Sequence, residues 1–343
     1  MKRVPRAFGR LLQRRRELLL GMAALGGVAL QARQARAAAL PTRPGAGPAS
    51  RDEARRRGAA AAAGSTAVLM ARGGNEDRRD EMAVLRRFVQ ACGGPQARIV
   101  VLTAASAVPQ ILWAGYERAF AALGVAGCVE MALGSREDAD SPAAVREILA
   151  ADGVFMTGGD QRRLLSVLGG SAVAEAMRRA RAQRGTCVAG TSAGAAALSG
   201  RMLAGGRAPL LPEKDVVLLD AGLDLLPGAI VDQHFSERRR LARLMSAMAQ
   251  HPELLGVGID EDTALVVGRG GIEVVGSGAV TLLDGRHMGS SVKQAQPGER
   301  LTLAGLRIHV LQSGQRLELA PGGTATVAAP GLQEAVELLV RAV

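Results

Sequence analysis

The sequence predicts an α/β protein built on a doubly wound, mostly parallel sheet, and three features point to it. From Ser65 onward, short apolar runs alternate with segments of helical periodicity, the pattern of repeated βα units. Two of those runs end in glycine pairs, Gly73-Gly74 and Gly158-Gly159, where a strand hands over to a loop. A third, Cys187-Val188-Ala189, leads into Gly190-Thr191-Ser192-Ala193-Gly194 and then the small-residue helical start Ala195-Ala196-Ala197-Leu198. Strand, Gly-x-Ser-x-Gly and helix in that order are the layout of a nucleophile elbow, with Ser192 at its apex. The flanking glycines matter because a Cβ there would stand between strand and helix. The helix turns its free N–H groups back toward the serine, where anionic charge is stabilised.

Taken in order, the chain opens on a basic leader. Lys2, Arg3, Arg6 and Arg10 precede Arg14-Arg15-Arg16 and an apolar run from Leu18 to Leu30, diluted by Gly21, Gly26 and Gly27. That run is too short to span a bilayer, so no stable membrane anchor is expected. Ala35-Arg36-Ala37 supplies small residues for cleavage, and residues 1–37 read as a signal peptide. Adjacent arginines before a weakly apolar run, with Arg33 and Arg36 after it, resemble a twin-arginine signal and imply a periplasmic or secreted protein. Residues 38–65, with Pro41, Pro44, Pro48, Arg55-Arg56-Arg57 and an alanine tract, read as a disordered linker.

The folded domain is expected over residues 66–320. Strand Thr66 to Met70 precedes a helix Arg79 to Ala91; strand Arg98 to Thr103 precedes a helix from about Val108 to Leu123. A strand near Val129, a helix Pro142 to Leu149, strand Gly153 to Thr157 and helix Ala172 to Arg184 follow. Beyond the elbow come a loop, Gly205 to Asp215, and the run Leu223 to Val231 that delivers Asp232-Gln233-His234-Phe235. Ser236 is placed to cap the next helix, which runs to about Gln250 with Leu241, Leu244, Met245 and Met248 as its buried stripe. Arg239 and Arg243 then lie opposite that stripe, and Arg238 and Arg240 flank it. Gly256 to Ile259 delivers Asp260-Glu261-Asp262, and from Ala264 the rhythm is β-hairpins with Gly-rich turns. Residues 321–343 form a tail with little pattern. In a doubly wound sheet, ligands bind at the carboxyl ends of the strands, where both glycine pairs and Ser192 fall.

Charge removes one class of function. Residues 1–65 hold 14 basic and three acidic residues, while the remaining 29 basic and 29 acidic residues cancel. The folded part is therefore neutral, and the whole chain, with one Trp, one Tyr and five Phe, offers few rings for bases to stack on, so nucleic-acid binding is set aside. Cys92, Cys128 and Cys187 are too far apart to read as a disulfide framework or a metal motif. No i,i+4 pair occurs among His234, His251, His287 and His309, and neither a metal site nor a cofactor is expected.

A serine nucleophile needs a base, and the base needs an acid to fix its tautomer. His234 ends a strand just before a helix and is the best placed of the four histidines. Asp232, Asp260, Glu261 and Asp262 compete for the acid, and clustering after an apolar strand favours one of the last three.

Five motifs in order, Gly73-Gly74-Asn75-Glu76-Asp77, Phe155 to Gln161, Gly190 to Ala196, Asp232-Gln233-His234-Phe235 and Gly258 to Thr263, closely resemble the cyanophycinases. These are serine peptidases related to aspartyl dipeptidase, with a class I glutamine amidotransferase-like fold, and the resemblance covers roughly residues 66–319. It implies hydrolysis of cyanophycin, a poly-aspartate backbone with arginine on each β-carboxyl, to β-aspartyl-arginine dipeptides. It also implies Ser192 as nucleophile, His234 as general base and Glu261 as the third member. Backbone N–H groups near Gly159 and Ala193 would form the oxyanion hole, and Gln161, Asp232, Arg238, Arg240 and Arg243 would line the substrate site. A substrate bearing both carboxylates and guanidiniums does need fixed charges of both signs in one cleft. The chain departs from the pattern at Pro209-Leu210-Leu211-Pro212-Glu213, where family members carry an acid in a different setting, and in its leader.

The nearest rivals are an aspartyl dipeptidase or another β-aspartyl peptidase of the same fold. An α/β-hydrolase esterase shares Gly-x-Ser-x-Gly but places its histidine last, after an acid. A non-catalytic binder of arginine-rich polymer would lack nucleophile or base, and both are present. A homodimer is left open.

Overall fold

The computed structural model describes residues 67–319 and 329–341; the expected signal peptide and linker lie outside the described residues. Five parallel strands, β1 (Val68–Arg72), β2 (Arg98–Leu102), β3 (Gly127–Met131), β4 (Gly153–Met156) and β5 (Cys187–Thr191), lie in the order β1-β5-β4-β2-β3. β1, β4 and β5 are buried at every residue, as strands covered on both faces are, which is why they read as apolar runs up to Arg72 at the end of β1 and Thr191 at the end of β5. The order sets β5, which carries the elbow, between the two strands that end in glycine pairs.

Beyond β1 the sheet turns antiparallel. β10 (Thr263–Gly268), β11 (Gly271–Gly276) and β16 (Arg316–Glu318) extend it to eight strands, so part of the hairpin region expected after Ala264 completes the main sheet. A second sheet, which the sequence did not announce, holds β8 (Ala229–Gln233), β9 (Leu255–Ile259), β12 (Ala279–Asp284) and β15 (Arg307–Gln312), with only β8 and β9 parallel. The chain crosses from this sheet to the large one between β9 and β10, through Asp260-Glu261-Asp262. Two small hairpins, β6 (Arg201–Gly206) with β7 (Val217–Ala221) and β13 (Gly289–Ser290) with β14 (Leu303–Ala304), stand outside both sheets.

One face of the large sheet packs on α1 (Ala83–Ala91) and α2 (Pro109–Ala122), where Phe88, Tyr116, Phe120 and Phe155 meet edge and face. That cluster uses most of the chain's few aromatic rings in the core. The other face packs on α4 (Pro142–Ala150), α5 (Gln161–Leu168), α6 (Ala172–Arg184) and α9 (Pro330–Arg341). A short α3 (Arg136–Asp140) precedes α4, closed by a Ser135–Asp138 capping box. α3 and α5 were not anticipated, and α9 lies in what read as a patternless tail, docked through Ala335, Val336 and Leu339.

Two helix expectations are corrected. α1 starts at Ala83 rather than Arg79, because the Asp77 carboxylate takes the amides of Arg79, Asp80 and Met82 and holds the intervening residues in a turn. α8 (Leu241–Gln250) starts later than expected and Ser236 does not cap it; the Ser236 amide goes to Asp260 Oδ1 instead. Its buried face also differs from the expected stripe: Leu244 and Met248 are buried as expected, but Leu241 is 40% exposed and Arg243 only 5% exposed. The reason is Asp232, a buried charge at the end of β8 that draws Arg243 inward.

Candidate active site

Ser192 joins β5 to α7 (Ala193–Ala197) with φ 51° and ψ −112°, a conformation L-residues rarely adopt. It costs about 1–3 kcal/mol. The surrounding structure imposes it: the Ser192 amide donates to Arg72 O at 3.1 Å, and helix and strand close on one another through two glycines. A Cβ on Gly190 would lie 2.2 Å from Gly194 O, and one on Gly194 would lie 2.5 Å from Met156 O. The Gly-x-Ser-x-Gly spacing is therefore a packing requirement here.

His234 arrives from the second sheet. β8 and β9 are parallel and paired at Gln233 and Ile259, so His234 and the acidic stretch after Ile259 leave the sheet side by side. The His234 amide donates to Gly73 O at 2.9 Å, and the Asp262 amide donates to Gly74 O at 2.9 Å. Gly74 has φ 98°, and a Cβ there would meet the His234 ring at 2.5 Å. The glycine pair after β1 thus clears the space in which the imidazole lies over Ser192.

The three side chains form one hydrogen-bonded file. Ser192 Oγ is 2.9 Å from His234 Nε2, and His234 Nδ1 is 2.6 Å from Glu261 Oε1. An ionised carboxylate only accepts, so Nδ1 carries the proton and Nε2 is left to accept from the serine hydroxyl. Burial pushes the Glu261 carboxyl up, but hydrogen bonds from His234 and Asn75 outweigh it and hold the group below its ordinary value. The neighbouring acids are occupied elsewhere. Asp260 accepts from the amides of Ser236 and Ala279, and Asp262 from that of Asp77. This arrangement can draw a proton from a serine hydroxyl and support the imidazolium that forms.

Gly158 lies against the elbow, a Cβ there falling 3.3 Å from Ser192 Cβ, while Gly159, with φ 145°, packs on the backbone of Ala105 and Ser106. Ala193 is the first residue of α7, so its amide has no carbonyl partner within the helix. α7 has only five residues, and the local N–H matters more there than a helix dipole.

The other residues expected at the site divide. Asp232 is 1% exposed and sits between Arg240 Nη1, 3.0 Å from Oδ1, and Arg243 Nε, 3.3 Å from Oδ2. Arg240 also donates to Gln233 O and Oε1. These three form a closed buried cluster next to His234. Arg238 is exposed and close enough to Glu261 to add to the forces lowering its pKa. Gln161 begins α5 and gives its amide to Leu203 O at 2.9 Å, which ties it to β6 rather than to the Ser–His–Glu file. In the divergent loop Glu213 pairs with Arg207, its amide donating to Ser246 Oγ. Among the described residues no cluster of His, Cys, Asp and Glu is placed to hold a metal ion.

Sequence reasoning missed two residues. Asn75 Nδ2 donates to Glu261 Oε2 at 2.8 Å. Glu76 is buried and accepts from Thr191 Oγ1 at 2.6 Å, and from the Tyr116 hydroxyl. Both lie in the Gly73 to Asp77 motif. The signal was a buried-strand exit followed by polar residues with no helix of their own to cap.

Comparison with known proteins fits this geometry. Residues 67–275 match the model of Peptidase family S51. The cyanophycinase of Nostoc sp. strain PCC 7120 is 39% identical over 249 residues, spanning 72% of this chain and 84% of that one. The cyanophycinase of Geminocystis herdmanii is 38% identical over 249 residues, 71% of this chain and 90% of that one. Among solved structures, a peptidase from an acI-B1 Actinobacterium superposes with a TM-score of 0.54 at 22% identity, over 74% of this chain and 97% of its own. That likeness is one of fold, and the class I glutamine amidotransferase-like architecture implied by the motifs is the architecture of this chain. By the extent of the family match and the identity to these relatives, the chain belongs to peptidase family S51.

Proposed function

We propose that the protein hydrolyses cyanophycin to β-aspartyl-arginine dipeptides through an acyl-enzyme on Ser192. The observation that carries this reading is the Ser192–His234–Glu261 file, with separations of 2.9 and 2.6 Å, in a chain 39% identical to a cyanophycinase. Ser192 Oγ attacks the scissile carbonyl as its proton passes to His234 Nε2, and Glu261 supports the imidazolium. The N–H groups of Gly159 and Ala193 take the negative charge that forms on the carbonyl oxygen. The imidazolium then protonates the leaving amine, and water, activated by the same histidine, releases the acyl group.

Arg238, exposed beside Glu261, is the cation placed to meet a substrate carboxylate. Gln161, Asp232, Arg240 and Arg243 shape the surroundings; the Asp232 carboxylate, hydrogen-bonded by Arg240 and ion-paired with Arg243, fixes the segment that carries His234 and Arg238. Incubation with insoluble cyanophycin followed by mass spectrometry of the soluble fraction tests the reading. β-Aspartyl-arginine from the wild type and none from Ser192→Ala supports it. Release of free arginine or aspartate alone, or no product, overturns it. We further propose, from the basic leader alone, that this activity is exported from the cytoplasm; the intact mass of the exported protein, expected to begin near Ala38, tests that separately.

A further inference from the structure

At the amino end of β1, away from Ser192, the large sheet carries a trough whose walls follow from the strand register. On the face that packs on α1, one row across the sheet reads Glu318, Gly271, Gly268, Val68. The next row reads Arg316, Glu273, Val266, Met70. Two adjacent glycines leave the first row without side chains between Glu318 and Val68, while the second raises Glu273 and Arg316 beside the gap. Arg87 reaches across from α1 to Glu273 at 2.9 Å, Arg316 lies 3.0 Å from Glu318, and Arg269 adds a third guanidinium at the hairpin tip. The space enclosed is about 350 Å³.

We propose that this trough is a second binding site for the polymer, taking a stretch of peptide on which carboxylates and guanidiniums alternate. This rests on the substrate reading above. The argument is charge complementarity. Three guanidiniums and two carboxylates line one small cleft, so a simple anion would face both carboxylates and a simple cation all three arginines. Only a ligand of both signs finds a partner for each. The internal ion pairs leave room for it: among the described residues Arg87 and Arg316 each pair through Nε rather than through their terminal N–H groups, and Glu273 and Glu318 each pair through one oxygen. The volume is that of a small-molecule pocket and accepts one dipeptide-sized unit of the chain. A glycine floor lets a peptide backbone approach the sheet closely.

The length of β1 puts about 13 Å of sheet between the trough and the carboxyl-end site. A long polymer can therefore engage both, whereas a short peptide held at Ser192 cannot. Holding the polymer at a second point raises its effective concentration at the first.

Gly268 gives a clean test, because a Cβ there meets nothing within 4 Å and its backbone does not need glycine. Gly268→Phe fills the trough without touching a charge, and Glu318→Arg removes the complementarity without filling it. Each is compared with wild type on insoluble polymer and on a soluble β-aspartyl-arginine trimer. The expected result is a KM for polymer raised ~10-fold or more, with kcat/KM for the trimer within about twofold of wild type. An unchanged KM for polymer, or equal losses on both substrates, overturns the proposal. Should wild type leave the polymer intact, the substrate reading itself fails. Co-sedimentation of Ser192→Ala with polymer, with and without Gly268→Phe, still judges the trough: equal sedimentation of the two overturns it, and release by Gly268→Phe supports it.

Discussion

Asn75 holds the oxygen of Glu261 that His234 leaves free. Its Nδ2 donates to Oε2 at 2.8 Å while His234 Nδ1 lies 2.6 Å from Oε1, so the carboxylate is fixed at both ends. A carboxylate gripped this way keeps its lone pair on the imidazole and stays ionised, which burial alone would oppose. Because Glu261 titrates lower in the folded chain than its ordinary value, it contributes stability that is present above that value and lost as pH falls through the folded one. Asn75→Ala removes one of the bonds that lower it. The Glu261 carboxyl should then titrate higher, followed by carbon NMR, and kcat should fall about tenfold with KM little changed. An unmoved titration would show that Asn75 does not act on the acid.

Ser192→Ala should leave the fold intact, since alanine at φ 51° meets the same backbone strain as serine. Turnover should fall at least ~10³-fold, as the acyl-enzyme has no atom to form on. If thermal denaturation is unchanged and more than a tenth of the rate survives, the serine mechanism is wrong.

Glu76 ties the loop after β1 to the elbow, accepting from Thr191 on one oxygen and Tyr116 on the other. Burial, then the Glu76 carboxylate, pushes the Tyr116 phenol well above its ordinary value, so it remains a donor. The carboxylate is also the nearby countercharge of Arg72, a fully buried guanidinium lying over Phe155 at 4.3 Å. Glu76→Gln should cost about 3 kcal/mol in urea denaturation, because it leaves that guanidinium without a countercharge. Thr191→Val removes only the single bond and should cost about 1 kcal/mol. The two changes together should fall short of the sum of their separate costs; full additivity would show that Glu76 and Thr191 act independently.

The parallel strands along the chain and the elbow were legible because strands buried on both faces are mostly apolar and because the elbow's glycines are forced by contact, whereas the side-by-side order of those strands was not. Ser192, His234 and Glu261 came together as the motifs implied, though spacing alone left four acids in contention. What decides among them is not local: β8 and β9 pair in register, and Asp260 and Asp262 are each taken by backbone amides from other segments. The same kind of long-range demand misplaced two helices. Asp77 keeps three amides that would have begun α1, and Asp232 turns Arg243 inward where a 3.6-residue period put it in solvent. The second sheet was hidden because β12 and β15 match β10 and β11 in length, with no pattern distinguishing their partners from those of β10 and β11.

Asp232 was read as a substrate contact, and its burial makes a different prediction. The carboxylate is closed between Arg240 and Arg243, and burial raises its pKa against the pull of both arginines. Asp232→Asn keeps the shape but leaves two buried guanidiniums unmatched, so the loss should appear first in stability, about 3–5 kcal/mol in denaturant unfolding. Adding Arg243→Met to that variant should recover part of the loss, because one of the unmatched charges is then gone and the methionine can fill the space. Turnover, measured well below the unfolding midpoint, should follow how firmly the segment carrying His234 is held, with the doubly changed protein above the singly changed one. Should Asp232→Asn keep its stability and lose binding of polymer, the carboxylate faces substrate after all and the buried-anchor reading of Asp232 falls.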